Sequence, residues 1–536
     1  MIKSKNSIYS FFLIFVVGLV VFFLYPYLKE TKVEDIKVNQ EKKVLFIYKN
    51  CFVIQTDIRN LEESISTKDF ENLSFISNID DLEIANLVKI KKYNFDNLYN
   101  FHKDYDISEL FLVPIDKIDY RMKVLSIDSI YPLDRNSLKD YPLCIEYSRQ
   151  VYEDELKNIE KDYVKFQNTF YSFDPNQLLS MFVGGEIIPA RAVDRTWLNQ
   201  SNNYTLLFDR LRKYIEGSDL ALAMLENPIS GDPTPCRGCM IFVGDEKNAK
   251  GFKEVGFDAL GVGNHIGDGG ENALRRTIQV LSENDIKLAG ANTDKNDPST
   301  PVILNFGEEK IAFLSADDVA SYYWFVSEWG SNRYSKRLNS GIMIVDKEKV
   351  YKDIEVAKNL ADKVVVMMSW GNEYTNHSSA HQQELAHTLI DAGADIIVGS
   401  HPHWVQEIEI YKNKPIIYSL GNFIFDQTSE GVNAHWSRRN GETRQAMTVI
   451  FYFYNGKLIN MRFIPHKLCG YEQAGGERNN KKHNLAWRIL NQEMSYKEVD
   501  NMDEKKGCVW YQPTILHNGN KFYNDVYNRM LEYTNF

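Results

Sequence analysis

Residues 393–403 read GADIIVGSHPH. Ile396–Val398 is a short apolar run of strand-forming residues. Gly393 stops the helical pattern of Ala380–Ala392 just before it. Such a run, apolar without alternation, marks a strand covered on both faces, as in a parallel sheet flanked by helices. Its carboxyl end is polar: Ser400, His401, Pro402, His403. Open α/β sheets bind ligands in the crevice beyond their strand ends. In an extended segment alternate residues project to one side, so both imidazoles are expected to face one ion. Neutral imidazole is the usual nitrogen donor to Zn, Mn or Fe.

The same pattern recurs on either side. Upstream are LLSMFVGGE (178–186), DLALAMLEN (219–227), FDALGVGNH (257–265), KIAFLSAD (310–317) and KVVVMMSWG (363–371); downstream is PIIYSLGNF (415–423). Helical segments such as Glu271–Asn284 lie between several of them, which argues for a layered α/β domain. AMTVIFYFYNGKLINMRFIP, from Ala446, reads as a hairpin around Asn455-Gly456.

The strands converge on similar polar ends: Glu186, Glu226-Asn227, Asn264-His265, Ser369 and the His401/His403 pair. Ten of the eleven histidines follow residue 260, and five of them (377, 381, 387, 401 and 403) crowd into one short window. Uniform scattering would place roughly half a histidine there. Singly each motif has an ordinary reading: Asn264 as a left-handed turn residue, His265 as a loop histidine, Glu226 as a helix-start carboxylate. As an ordered set, carboxylates, amides and imidazoles at one sheet edge make the constellation of a metal-dependent hydrolase, with ions about 3.5–4 Å apart where there are two. His377 and His381, spaced i, i+4, read as exposed helix residues.

The 536 residues carry 44% hydrophobic and 25% charged side chains, values of ordinary globular chains. A net charge of −11 without a basic face excludes an electrostatic track for nucleic acid. Residues 1–7 read as a short cytoplasmic tail and 8–28 (IYSFFLIFVVGLVVFFLYPYL) as an uncleaved transmembrane helix, long enough for the roughly 30 Å hydrocarbon core. Residues 29–42 are a charged linker, and the bulk of the chain is expected outside the cell membrane. Residues 43–170 form a smaller α/β extension containing KVLFIY, ELFLVPID and MKVLSIDSIYPL. Residues 171–470 are the main domain and 471–536 an uneven C-terminal segment. Cys236-x-x-Cys239 is half a zinc site or a local disulfide; Cys51, Cys144, Cys469 and Cys508 are scattered.

The ordered motifs GGEIIPAR, MLENP, GFDALGVGNHIGDGG, SWGNEY, GADIIVGSHPH and IIYSLGNFIFDQ resemble the CapA-type poly-γ-glutamate capsule proteins of the calcineurin-like metallophosphatase superfamily, over roughly 181–468. The extension is similar, less specifically, to half of a periplasmic substrate-binding protein. The resemblance implies a four-layer α/β/β/α sandwich and a role in envelope-polymer synthesis or export. The implied partners are the membrane, the polymer and capsule-synthesis membrane proteins. It also implies a site holding one or two divalent cations (Mn, Fe or Zn). Glu186, Glu226, Asn264, His265, His401 and His403 would be ligands, and Asn264, His265 and Arg191 would be catalytic, Arg191 contacting an anion.

Several family positions are altered. Glu186 stands for Asp, Met224 for the Asn of Asn-Leu-Glu, Gly263 for the first Asn of Asn-Asn-His, Ser369 for the His of His-Trp-Gly, and Ser400 for the first His of Gly-His-His-Pro-His. Asp268 and Glu373 are retained. A longer carboxylate displaces an ion by about 1 Å, and a hydroxyl is a poor substitute for imidazole. Two expectations therefore stand side by side: a reduced but working metal site, and a depleted fold that binds polymer or partner proteins.

Overall fold

The computed structural model describes residues 43–60, 62–70, 72–77, 89–92, 108–166, 169–191, 193–194, 203–231, 241–293, 300–319, 341–342, 347–426, 443–468, 513–515 and 521–532. The expected membrane span (8–28), the linker and four of the cysteines (236, 239, 469 and 508) lie outside them. Among the described residues no helix is long and apolar enough to cross a membrane. By internal contacts the chain forms two units, residues 1–47 with 148–162, and 48–147 with 163–536. In the smaller, the short helix Glu153–Ile159 begins with three acidic residues, which suit its N-terminal dipole, and Glu155 pairs with Arg149 at 2.5 Å.

In the larger unit the fold is mixed α/β. One sheet runs in the order Lys287–Ala289, Ala259–Val262, Leu220–Leu225, Leu178–Ile187, Gln445–Tyr454, Lys457–Leu468, Pro513–Ile515. Its first four strands are parallel, and Gln445–Tyr454 joins antiparallel. The expected hairpin is present: Asn455 and Gly456 both take positive φ (47° and 72°), matching the twist of the strands they join. A second sheet contains Val302–Phe306, Glu309–Asp317, Lys363–Ser369, Ile396–Ser400, Lys414–Ile417 and Ile408–Tyr411.

The two sheets bury one face each against the other. Met181, Val183, Leu222 and Met224 from the first meet Phe313, Val365, Met367 and Val398 from the second. Full burial of such side chains is worth about 1.5–3 kcal/mol each. The outer faces are covered by helices. Leu274 and Leu281 of Glu271–Glu283 pack on the first sheet; Leu385 and Leu389 of Ala380–Ala392 pack on the second. The Ala380 helix opens with a reciprocal capping box between Ser379 and Gln382 and ends at Gly393, whose φ of 122° few other residues tolerate. This layering brings the carboxyl ends of both sets of parallel strands to one edge.

The extension's central strand, Lys43–Thr56, pairs antiparallel with Leu110–Pro114 and Lys123–Ile127. Cys51 is disulfide-bonded to Cys144, closing 93 residues of chain. Extension residues Val53, Phe111 and Val113 belong to the same apolar cluster as Phe182 and Ile450, and Tyr131 donates its hydroxyl to Asn460 Oδ1 at 2.7 Å. The uneven C-terminal segment contributes a strand to the first sheet and a helix, Lys521–Glu532. Its Val526, Tyr527 and Met530 are buried, and Tyr527 donates to Glu63 Oε1 at 2.9 Å.

Candidate functional site

Glu186 sits at the end of Leu178–Ile187, where the strand register shifts after Val183. Two glycines precede it for a steric reason. A Cβ on Gly185 would fall 2.3 Å from the Gly421 carbonyl oxygen, so only glycine lets the Asn422–Ile424 strand lie alongside. Glu226 follows the next strand. A Cβ on Gly263 would overlap Glu226 Oε2, at 1.7 Å, so the glycine makes room for this carboxylate. Glu186 and Glu226 are both completely buried.

Across the sheet edge His403 Nδ1 lies 2.9 Å from Glu186 Oε2 and 2.9 Å from Asn422 Oδ1. The Asn422 amide in turn donates to the Thr443 carbonyl at 2.9 Å. Burial alone would raise the Glu186 pKa, but the charge and hydrogen bond of His403 outweigh it and hold the carboxyl down to about 2. For His403 burial works the other way and again loses, and Glu186 lifts the imidazole to about 9. Burial, followed by the charge of Glu186, pushes Glu226 well above the usual carboxylate range. These shifts favour charge on Glu186 and His403 and disfavour it on Glu226. The four carboxylate oxygens are shielded from water; Glu186 Oε2 faces His403, and Glu186 and Glu226 share a side-chain hydrogen bond.

The other expected residues gather at the same edge with different partners. His401 Nδ1 is 3.2 Å from Asn264 Oδ1, and its own burial, with His403 next, lowers it to about 3, so it is neutral. His265 Nδ1 is 2.8 Å from Asp268 Oδ2, which also accepts the Phe242 backbone N–H at 2.6 Å. Arg191 lies over the Phe242 ring, with Nε 3.3 Å from Asp426 Oδ2; the cation expected to meet a bound anion already faces a carboxylate.

The extended His-Pro-His reading needs correction. The strand stops at Ser400, and His401 and His403 both take positive φ, 91° and 58°. The chain turns there, so period-two alternation does not apply. The ring centroids lie 5.8 Å apart, with Nδ1 of His401 on Asn264 and Nδ1 of His403 on Glu186. Non-glycine residues held in this region cost about 1–3 kcal/mol each and concentrate at functional sites.

His377 is exposed and precedes the helix; His381 is exposed and reaches Asp318 at 2.8 Å, so neither replaces the missing imidazole of Ser369. Ser369 Oγ and Ser400 Oγ are buried without partners among the described residues. Asn422 and Asp317 were missed as site residues. Asn422 lay in the quoted SLGNF segment, and Asp317 ends the KIAFLSAD strand as Glu226 follows its own, which was the available signal. Asp317 is buried, and its charge also raises Glu226.

Whether this edge suits a metal turns on its donors. Among the described residues no three or more His, Cys, Asp or Glu side chains are arranged as a ready metal centre. Asn264 and Asp268 engage Nδ1 of His401 and His265, which leaves Nε2 as the ring donor of each imidazole. For a divalent cation the donor chemistry fits: Glu186 and Glu226 bring buried carboxylate oxygens together beside the His403 ring.

The sequence from 180 to 427 matches the family described as "Bacterial capsule synthesis protein PGA_cap". The chain is 31% identical over 344 residues to the capsule biosynthesis protein CapA of Bacillus anthracis, covering 62% of this chain and 76% of that one. The chain belongs to this capsule-synthesis family. It is also 26% identical to the PGA biosynthesis protein CapA of Bacillus subtilis, over 62% of this chain and 85% of the relative. A probable polyglutamine synthesis accessory protein of Mycobacterium tuberculosis is 29% identical over 38% of this chain and 53% of its own length. The family match spans Glu186, Glu226, His265 and the His401/His403 pair, and so covers the buried cluster.

Proposed function

We propose that this chain is an extracytoplasmic factor in the synthesis or export of a poly-γ-glutamate-type envelope polymer, anchored by residues 8–28 and carrying a divalent cation at the Glu186–Glu226–His403 cluster. Family membership supports the polymer assignment. The Cys51–Cys144 disulfide supports the compartment, since structural disulfides persist where the surroundings are oxidising. The observation that carries the metal reading is the pair of wholly buried carboxylates packed against each other beside the His403 imidazole.

When bound, a divalent cation polarises a phosphoryl or carbonyl oxygen and activates water. The chain's own residues supply the rest. Glu186 and Glu226 hold the charge, and Asn422 orients the His403 ring through Nδ1. Asp268 fixes His265 through its Nδ1, leaving Nε2 to meet a substrate oxygen or pass a proton at the leaving atom. Asn264 presents an amide at the same edge. The substrate bond is a phosphoester or an amide-linked polymer end.

A second reading is favoured by one contact. The His403–Glu186 ion pair, with charge disfavoured on Glu226, gives the buried carboxylate a partner without any cation, which suits a subunit that binds polymer or partner proteins and performs no chemistry. Elemental analysis of the full chain, purified without chelator or affinity-column metal, separates the two. About one equivalent of Mn, Fe or Zn, lost in Glu186→Gln, supports the metal site. Less than about a tenth of an equivalent after incubation with those ions rejects it and leaves the binding role.

A further inference from the structure

A second site lies away from this cluster, on the far end of the first sheet. A cavity of about 300 Å³ opens where the extension's 129–137 segment faces Leu178–Ile187 and the hairpin strands Gln445–Tyr454 and Lys457–Leu468. That volume is at the small end of the roughly 300–1,000 Å³ of small-molecule pockets. Arg462 projects into it. Its guanidinium stacks on the Tyr131 ring at 3.9 Å and lies 5.4 Å from the Tyr214 ring, beside the Tyr452 hydroxyl. Lys213 lines the rim.

The charges around this cavity are unevenly committed. Asp219 is held by Arg135 at 2.7 Å and by the backbone N–H of Ser180 at 2.8 Å. Asp134 accepts from Asn136 N at 3.1 Å and Ser137 Oγ at 2.8 Å. Both carboxylates and Arg135 are therefore engaged. Arg462 and Lys213 form no ion pair with any carboxylate among the described residues. A guanidinium locked between aromatic rings loses little freedom on binding and offers a planar fork that matches a carboxylate. Leaving such a cation partly buried and unpaired is costly, and an anion entering the cavity would relieve that cost.

We propose that this cavity binds a small carboxylate-bearing ligand of one or two amino-acid residues, with Arg462 gripping the carboxylate and Lys213 adding charge at the rim. The apolar wall of Leu133, Leu178 and Ile450 would pack against the ligand's aliphatic part. The site goes beyond the metal reading and is independent of it, since it shares no residue with the Glu186 cluster.

Titration calorimetry on the full chain tests it, with Glu-Glu, acetylated and amidated at its ends, as probe, the identically blocked Gln-Gln as its carboxylate-free match and inorganic phosphate as the competing anion. Glu-Glu is expected to bind about 10–100-fold tighter than Gln-Gln, the range of one charge-assisted contact. Arg462→Lys keeps the charge but loses the fork and is expected to weaken Glu-Glu at least tenfold. Lys213→Ala changes an exposed residue, keeps the test open should Arg462→Lys fail to fold, and is expected to weaken it several-fold; melting curves check folding. The proposal is overturned by no heat with Glu-Glu at millimolar concentration, by equal affinity for Gln-Gln, or by unchanged affinity in folded variants. Phosphate binding tighter than Glu-Glu overturns the carboxylate assignment.

Discussion

Removing the Cys51–Cys144 bridge should destabilise the extension by several kcal/mol. The bond closes 93 residues between Lys43–Thr56 and Cys144–Tyr152. In the chain-entropy account a loop of that length restricts the unfolded ensemble by about 4.7 kcal/mol, and native disulfides deliver roughly 2–5 kcal/mol when removed. Cys51 is buried among the strands that hold Val53 and Phe111, so the bridge sits inside packed structure. The perturbation is Cys51→Ala with Cys144→Ala, which leaves no new polar atom in that core. Denaturant titration of the full chain, followed by tyrosine and tryptophan fluorescence, should show the double variant less stable by about 2–5 kcal/mol, with the loss concentrated in the transition that reports the extension. Reductant should move the wild type toward the variant and shift the variant less than the wild type. A difference below about 1 kcal/mol would refute the reasoning, as would two titratable thiols at these positions in the native wild-type protein.

Two further outcomes follow from the same packing. Gly263→Asn places a Cβ onto Glu226 Oε2 and within 2.8 Å of Glu226 Cα; it should lower stability by about 1–3 kcal/mol in thermal melts, and an unchanged melting temperature would show that Glu226 moves freely. His466 is wholly buried, and burial lowers its pKa to about 4. In the unfolded chain it titrates near 6.5, so its contribution is full above that value and is lost as pH falls toward 4, by roughly 3 kcal/mol. Denaturant titrations at pH 7, 5 and 4 should show a smaller pH slope for His466→Gln than for the wild type; equal slopes would remove His466 from the account.

Much of the fold was legible along the chain because local rules carried it. Gly393 and Ser379 bracket a helix at the expected residues, and Asn455-Gly456 turns the expected hairpin. The apolar runs ending in Glu186, Glu226, Asn264 and His401 became strands whose carboxyl ends meet, as covered parallel strands require. The extended backbone expected at His401 and His403 is absent, because alternation holds only while the chain stays extended, and here it turns after Ser400. Asn422 passed unnoticed because a lone amide before a phenylalanine carries no local signature; its role appears only when its strand lies beside Glu186.

By itself the amino-acid sequence determined which segments are apolar enough to be buried strands, where they must end, and which polar residues those ends carry. These follow from short-range hydrophobic patterning and from turn chemistry. The tertiary structure alone decided the pairings: Glu186 with His403, Cys51 with Cys144, and Arg462 between Tyr131 and Tyr214. Each joins residues far apart in the chain, and each depends on which strands lie next to one another and at what register. Neighbouring residues do not encode that choice. It is set by how two sheets and their helices bury their apolar faces together, and that packing decides which charges are left to face each other.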